Sequence, residues 1–218
     1  MVKVKAIIFD LWGTTIENGV YPSPSKQAMY FLRVKSTFSE FIVKFEEAFM
    51  KKEHASLREG FEAVVKDFDL RIPDFVYEKL VGMWNKNAIL SKEYPDTRKA
   101  LEDLKKQGYK IFLLANIDKF SYEQLQEKFN LEKLFDKVYT SYSIGLLKSN
   151  KESYEKLLKE NKLKKQEAVM VGDSMESDIK SAEQAGILGI LVDRKANRDY
   201  EPRINDLTEL SEKIQSLS

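Results

Sequence analysis

Val169-Met170-Val171-Gly172-Asp173-Ser174-Met175-Glu176-Ser177-Asp178 is an apolar run that breaks into acids at fixed spacing, and a second apolar run ending in an aspartate, Ala6-Ile7-Ile8-Phe9-Asp10, lies near the start of the sequence. Unbroken apolar runs of this kind read as strands covered on both faces, the pattern of a parallel sheet between helices. In an open parallel sheet, ligands bind at the carboxyl ends of the strands, so Asp10 and Asp173 are expected to converge in one crevice.

Outward from these two strands the hydrophobic period changes twice. The first strand reads as Val2 to Phe9 and is followed by a turn rich in Gly, Thr and Asn that runs to Gly19. From about Pro24 to Leu90 apolar residues fall at helical spacing: Phe38, Phe41, Ile42, Phe45 and Phe49 form one stripe, and Leu57, Phe61, Val64, Val65 and Phe68 another. Val76, Tyr77, Leu80, Val81 and Trp84 form a third, after Pro73, a residue suited to a helix start. This region reads as a subdomain of about four helices. Alternation of strands and helices returns after Tyr94-Pro95, with a helix from Asp96 to Gln107, a strand from Lys110 to Ala115 and a helix around Ser121 to Phe129. A strand near Lys137 to Ser141, a helix from Lys151 to Asn161, the strand Glu167 to Val171, a helix from Met175 to Ala185, the strand Ile187 to Val192 and a final amphipathic helix complete it. The expected fold is α/β, a doubly wound parallel sheet with an inserted helical subdomain.

Composition narrows the function. Among 218 residues, 36 lysines and arginines face 35 acids with the signs interspersed, which argues against nucleic-acid or membrane-surface partners. No apolar stretch approaches the roughly 20 residues that cross a bilayer, and the first strand is not preceded by the zones of a signal peptide, so a soluble cytoplasmic enzyme is expected. The absence of cysteine excludes a disulfide framework, a thiolate nucleophile and a cysteine zinc site, and one histidine, His54, leaves little for a histidine-based metal site or triad. Charged residues make up 33%, dominated by lysine and glutamate, the bias of heat-adapted proteins. Oligomeric state is left open.

Read by themselves, the candidate site residues have two uses each. Asp10 either caps a turn or offers a reactive carboxylate, and Asp173 or Ser174 either caps a helix or binds a ligand. Lys148, in Ser143-Ile144-Gly145-Leu146-Leu147-Lys148-Ser149, is either solvated or the counter-charge of Asp10.

Asp10-Leu11-Trp12-Gly13-Thr14-Thr15 and Gly172-Asp173-Ser174 with Asp178 together resemble the first and fourth motifs of the haloacid-dehalogenase-like hydrolase superfamily, in the branch whose helical cap is inserted after the first motif. The resemblance implies a core of residues 1–17 and 92–218 and a cap of residues 18–91. It implies that Asp10 attacks phosphorus to form an aspartyl-phosphate, that Thr14 hydrogen-bonds near it, and that Lys148 is the third-motif lysine, although the proline that often follows is Ser149. It further implies a Mg²⁺ cofactor on Asp10, Asp173 and the backbone carbonyl of Trp12, with Asp178 in an outer or lysine-orienting role. The second motif, Leu113-Leu114-Ala115-Asn116, keeps Asn116 as a phosphate-side group but has Ala115 in place of the hydroxyl. A single hydrogen bond to a charged group is worth roughly 1.5 to 3 kcal/mol, so that loss weakens a site without abolishing it.

Trp12 is the larger departure, because the family's phosphatases carry there the aspartate that protonates the leaving group and then activates water. General acid–base help is worth about 10² to 10⁴ in rate, or roughly 3 to 5 kcal/mol. The expected function is a Mg²⁺-dependent phosphatase of a small phosphorylated metabolite, with Trp12 and Asn116 at the substrate. The alternatives are a haloacid dehalogenase, which also places an aromatic residue at this position, a phosphonoacetaldehyde-hydrolase-like enzyme using Lys51 or Lys52 as a Schiff base, and a binding or regulatory module.

Overall fold

In the computed structural model, which describes residues 3–217, alternation along each buried strand sorts the apolar runs into two layers. Eight strands occur among the described residues: β1 (Ala6–Phe9), β2 (Ile16–Glu17), β3 (Lys92–Glu93), β4 (Lys110–Ala115), β5 (Lys137–Thr140), β6 (Ala168–Gly172), β7 (Leu188–Val192) and β8 (Arg203–Ile204). Six of them form one parallel sheet in the order β5-β4-β1-β6-β7-β8. Registers Ile8↔Phe112 and Ile8↔Met170 put those side chains on one face, and Phe9↔Leu113 and Phe9↔Val171 put theirs on the other.

Helices α1 (Pro24–Phe31), α2 (Phe38–Phe49), α3 (Leu57–Asp67) and α4 (Asp74–Leu90) fill the stretch between β2 and β3. The remaining helices, α5 (Thr97–Lys106), α6 (Lys119–Phe129), α7 (Leu131–Leu134), α8 (Ser141–Ile144), α9 (Lys151–Glu160), α10 (Ser181–Gln184) and α11 (Leu210–Ser216), accompany the sheet. One face of the sheet packs on Leu101, Leu104, Leu125 and Ile214 of α5, α6 and α11, and the other on Tyr154, Leu157 and Leu158 of α9 with Ala182 of α10. Both faces of β1 and β6 are therefore covered, which is why their sequences are continuously apolar rather than alternating.

The chain leaves and re-enters this core through the antiparallel ribbon β2–β3, in register Ile16↔Glu93. A capping box starts α2: Thr37 accepts from the Glu40 backbone N–H while the Glu40 carboxylate accepts from the Thr37 backbone N–H. Phe41, Phe45 and Phe49 from α2, Phe61 from α3 and Trp84 from α4 make the second core, with Phe49 at 4.6 Å from Phe61 and 4.9 Å from Trp84 between ring centroids. The three predicted stripes supply this cluster, except that Phe38 stays exposed, while Ile42, Phe68, Val76, Tyr77 and Val81 are half-buried at its edge.

Three expectations are corrected. The first strand begins at Ala6, with Lys5 N–H still reaching Glu167 O at 2.8 Å; Val2 lies outside the described residues. A sixth strand, β8, joins the sheet; two residues are too few for periodicity to reveal. The predicted helix Met175–Ala185 is instead a π-helical turn, Met175–Lys180, followed by α10. No helix among the described residues is long and apolar enough to cross a membrane.

Phe45 is fully buried and touches Phe41, Phe49, Phe61 and Trp84. Phe45→Ala is expected to cost about 3 to 5 kcal/mol, and Phe45→Leu clearly less. Denaturant unfolding measures both; a near-neutral alanine variant would show that the aromatic cluster can collapse into the gap.

Candidate active site

The sheet ends set the geometry. Asp10 follows β1, its backbone N–H bonded to Val171 O at 2.9 Å, and Asp173 follows β6, so adjacent parallel strands deliver both carboxylates to one edge. Two glycines let the acids crowd there. Gly13 has φ +83°, and a Cβ on it would collide with the Asp173 carboxylate, while a Cβ on Gly172 would collide with that of Asp178. Thr14 Oγ1 donates to Asp10 Oδ2 at 3.2 Å. One oxygen each of Asp10, Asp173 and Asp178 lies within 4.8 Å of the others.

Lys148, only 3% exposed, reaches into this cluster from the loop after α8. Its Nζ donates to Asp10 Oδ1 and, at 2.6 Å, to Asp178 Oδ1, while Asp178 Oδ2 accepts from the Ser174 backbone N–H at 2.9 Å. The π-helical turn brings Asp178 back under Ser174 to make that bond, and Ser174 caps the turn by accepting from Ser177 N–H. Burial works against the Lys148 ammonium, but the Asp10 and Asp178 carboxylates outweigh it and raise its pKa above the usual lysine range.

One ammonium does not neutralise three carboxylates. Burial, then the charges of Asp10 and Asp178, push the Asp173 carboxyl up to about 8; burial and Asp10 push Asp178 up to about 6 against the pull of Lys148. Such an arrangement holds a proton or a cation. Converging hard oxygen donors in excess of the local positive charge are the donor set that suits a divalent cation.

A cavity of about 230 Å³ opens over the cluster, lined on the core side by Asp10, Trp12, Asn116, Lys148 and Asp173. The helical insertion lines its other side with Phe38, Ile42, Glu46 and Met50 from α2 and its C-terminal end and with Trp84 from α4. Trp12 lines this cavity while packing against the apolar cluster that includes Leu11 and Ile16. Asn116 is tied on both sides, its Oδ1 accepting from Lys148 backbone N–H at 2.9 Å and its Nδ2 donating to Glu46 Oε2 at 2.8 Å. Ala115, by contrast, is packed in the core.

The family model described as a haloacid dehalogenase-like hydrolase matches residues 4–186. The chain belongs to the haloacid dehalogenase-like hydrolases. Over its whole length this hydrolase is similar to the glyceraldehyde 3-phosphate phosphatase of Methanocaldococcus jannaschii, 27% identical with 98% of each chain covered. Among solved structures it resembles the haloacid dehalogenase-like phosphatase of Thermococcus onnurineus, at a TM-score of 0.61 and 23% identity over 96% of this chain and 97% of that one. It resembles the L-2-haloacid dehalogenase of Xanthobacter autotrophicus equally in fold, at a TM-score of 0.64 and 15% identity over 99% and 100%.

The structure brings Asp10, Trp12, Asn116, Lys148, Asp173 and Asp178 to one cavity, with Thr14 behind Asp10. Lys51 and Lys52 do not line it; Lys51 pairs with Glu47, and both border a separate surface cavity. Several residues were not legible as site residues. Arg194 forms a two-bond pair with Asp96 and donates to Thr14 O at 2.7 Å, and Arg198 donates to Asp173 O, so the two motif loops are held by the loop after β7. Glu46 had one signal: it is an acid four residues beyond Ile42 on a face that begins at Phe38.

The raised carboxyl pKa values carry a sign for stability. Between the unfolded value near 4 and the folded values of about 6 and 8, the native state binds more protons than the unfolded one. In the presence of a chelator, stability is therefore expected to fall as pH rises from about 4 to about 8, and Asp173→Asn to flatten the fall. Thermal unfolding across that window reads it; a parent whose melting temperature climbs steadily through the window contradicts it.

Proposed function

We propose that the hydrolase is a Mg²⁺-dependent phosphatase of a small phosphorylated metabolite, working through an aspartyl-phosphate on Asp10. The observation that carries this is the cluster of Asp10, Asp173 and Asp178 around buried Lys148 at the floor of a small cavity. Asp10 and Asp173 would hold the cation with the Trp12 backbone carbonyl, and Asp178 would orient Lys148. Mg²⁺, when bound, supplies positive charge opposite the transferring phosphoryl oxygens.

The remaining work falls to the chain. Lys148 holds Asp10 in place through Oδ1 and adds a second positive charge beside the phosphoryl group, and Thr14 donates to the other Asp10 oxygen, Oδ2. Residues 18–91 act as the cap, excluding water during transfer. Asn116 serves the substrate side of the cavity and Trp12 its apolar floor.

The lysines that a phosphonoacetaldehyde-hydrolase-like reaction needs lie away from the cavity, and a dehalogenase has no use for the surplus of carboxylates. The similarity to phosphatases named for glyceraldehyde 3-phosphate makes that compound the first substrate to try.

A screen with and without Mg²⁺ over glyceraldehyde 3-phosphate, aryl, alkyl and acyl phosphates, phosphonoacetaldehyde and 2-haloacids tests the reading. Hydrolysis of phosphate esters that chelation removes is expected, with Asp10→Asn inactive and folded, since an amide of nearly the same volume is no nucleophile. Equal turnover by Asp10→Asn and the parent would dismiss Asp10 as the nucleophile; haloacid turnover without metal would dismiss the phosphatase.

A further inference from the structure

Resting on the phosphatase reading, one group is still missing: Trp12 stands where a proton donor is needed, and the loop from Leu11 to Thr15 carries no ionisable side chain. Across the cavity, Phe38, Ile42, Glu46 and Met50 recur at four-residue intervals and line the same space as Asp10 and Lys148. Among the described residues of the cap, Glu46 is the one ionisable group that lines this cavity. Asp118, a core acid that also lines it, is already committed: Oδ2 accepts from Trp84 Nε1 at 2.8 Å and Oδ1 caps α6 through Ser121 N–H at 2.9 Å.

We propose that Glu46 is the acid–base residue of this enzyme, supplying from the cap the proton that the first motif cannot. In the first half-reaction an Asp10 oxygen attacks phosphorus and the bond from phosphorus to the ester oxygen breaks. Its electron pair stays on the leaving oxygen, which takes the proton of the Glu46 carboxyl and departs as an alcohol. In the second, the Glu46 carboxylate takes a proton from water as the water oxygen attacks phosphorus. The bond between phosphorus and Asp10 breaks, releasing inorganic phosphate and restoring both the Asp10 carboxylate and the protonated Glu46.

The surroundings fit both halves. Asn116 Nδ2 holds Glu46 Oε2 at 2.8 Å, and Oε1 has no hydrogen-bond partner among the described residues, leaving it for the proton. Burial pushes the Glu46 carboxyl up to about 7; Asp178 and Asp10 add to the shift, and the Lys148 ammonium and the Asn116 amide oppose it. Both protonation states are then populated near neutrality, as a group that gives and retakes a proton requires. The competing role is a plain tie between α2 and the end of β4 through Asn116.

Glu46→Gln separates the two, because its amide oxygen still accepts from Asn116 but carries no proton. With Mg²⁺ present, turnover of alkyl phosphates is expected to fall by about 10² to 10⁴. An aryl phosphate, whose phenolate leaves without help, should instead give a burst of one equivalent of phenol followed by slow turnover, as the aspartyl-phosphate waits for a base. Glu46→Ala, assayed with added formate, should regain alkyl phosphate turnover, and it keeps the question open to measurement if the glutamine variant folds poorly. A glutamine variant within about threefold of the parent on both substrate classes, or one slowed equally on both without a burst, makes Glu46 a tie and overturns the proposal. A parent that hydrolyses no phosphate ester overturns the phosphatase reading itself, and this inference with it.

Discussion

Crowding of like charge at the ends of two adjacent strands is the constraint on which the rest of the structure depends. Parallel pairing of β1 with β6 puts Asp10 and Asp173 side by side, and the π-helical turn adds Asp178. Three carboxylates this close are unfavourable in a buried place unless something positive lies among them. Lys148 meets two of them, and its own burial is tolerable only because it does. Gly13 and Gly172 are explained by the same crowding, since a methyl group at either would occupy the space of a carboxylate. So are the outer arginines, which hold the backbone carbonyls of Thr14 and Asp173 and thereby fix the two loops at a separation the acids alone would resist.

The cavity above lies between two parts of the chain whose apolar cores meet at Leu147, Phe120 and Ala88. The sheet and its helices make one apolar interior on each face, while the aromatic cluster of α2, α3 and α4 makes another, and the chain crosses between them only at the β2–β3 ribbon. Polar contacts connect the helical insertion to the reactive end, Glu46 with Asn116, Trp84 with Asp118, and Lys119 with Glu53, beside the apolar contacts of Leu147 and Phe120 with its aromatic cluster. The polar contacts can be exchanged for water at modest net cost, which would suit the proposed cap in admitting a substrate and then excluding solvent.

What could be read from the sequence follows from how local each signal is. Strand-end aspartates after unbroken apolar runs are visible because run, turn and acid are contiguous, and the sheet rule then brings Asp10 and Asp173 together without knowledge of packing. The helical stripes were visible for the same reason. Arg194 and Arg198 were not, because a basic residue in a polar loop acquires meaning only when the fold sets it against Thr14 and Asp173. The π-helical turn was hidden too: its residues satisfy an ordinary helical pattern, and the extra residue per turn is imposed by Asp178 turning back to Ser174 N–H and Lys148. The strand β8 offers two residues, below the length at which alternation means anything.

Trp12 links these themes. In the sequence it is a missing acid; in the structure it is a wall of the cavity anchored in the core cluster, so the position has a packing role that an aspartate could not fill. With the proton donor proposed on α2 instead of on the loop after β1, the donor and the proposed nucleophile are carried by different parts of the chain. Proton delivery to the leaving group would then require the helical insertion to lie over the core with Asn116 holding Glu46, the arrangement in which water would also be excluded. An acid fixed beside Asp10 is available whether the cap is open or shut, whereas an acid carried by the cap makes closure a condition of the first chemical step rather than an accompaniment to it.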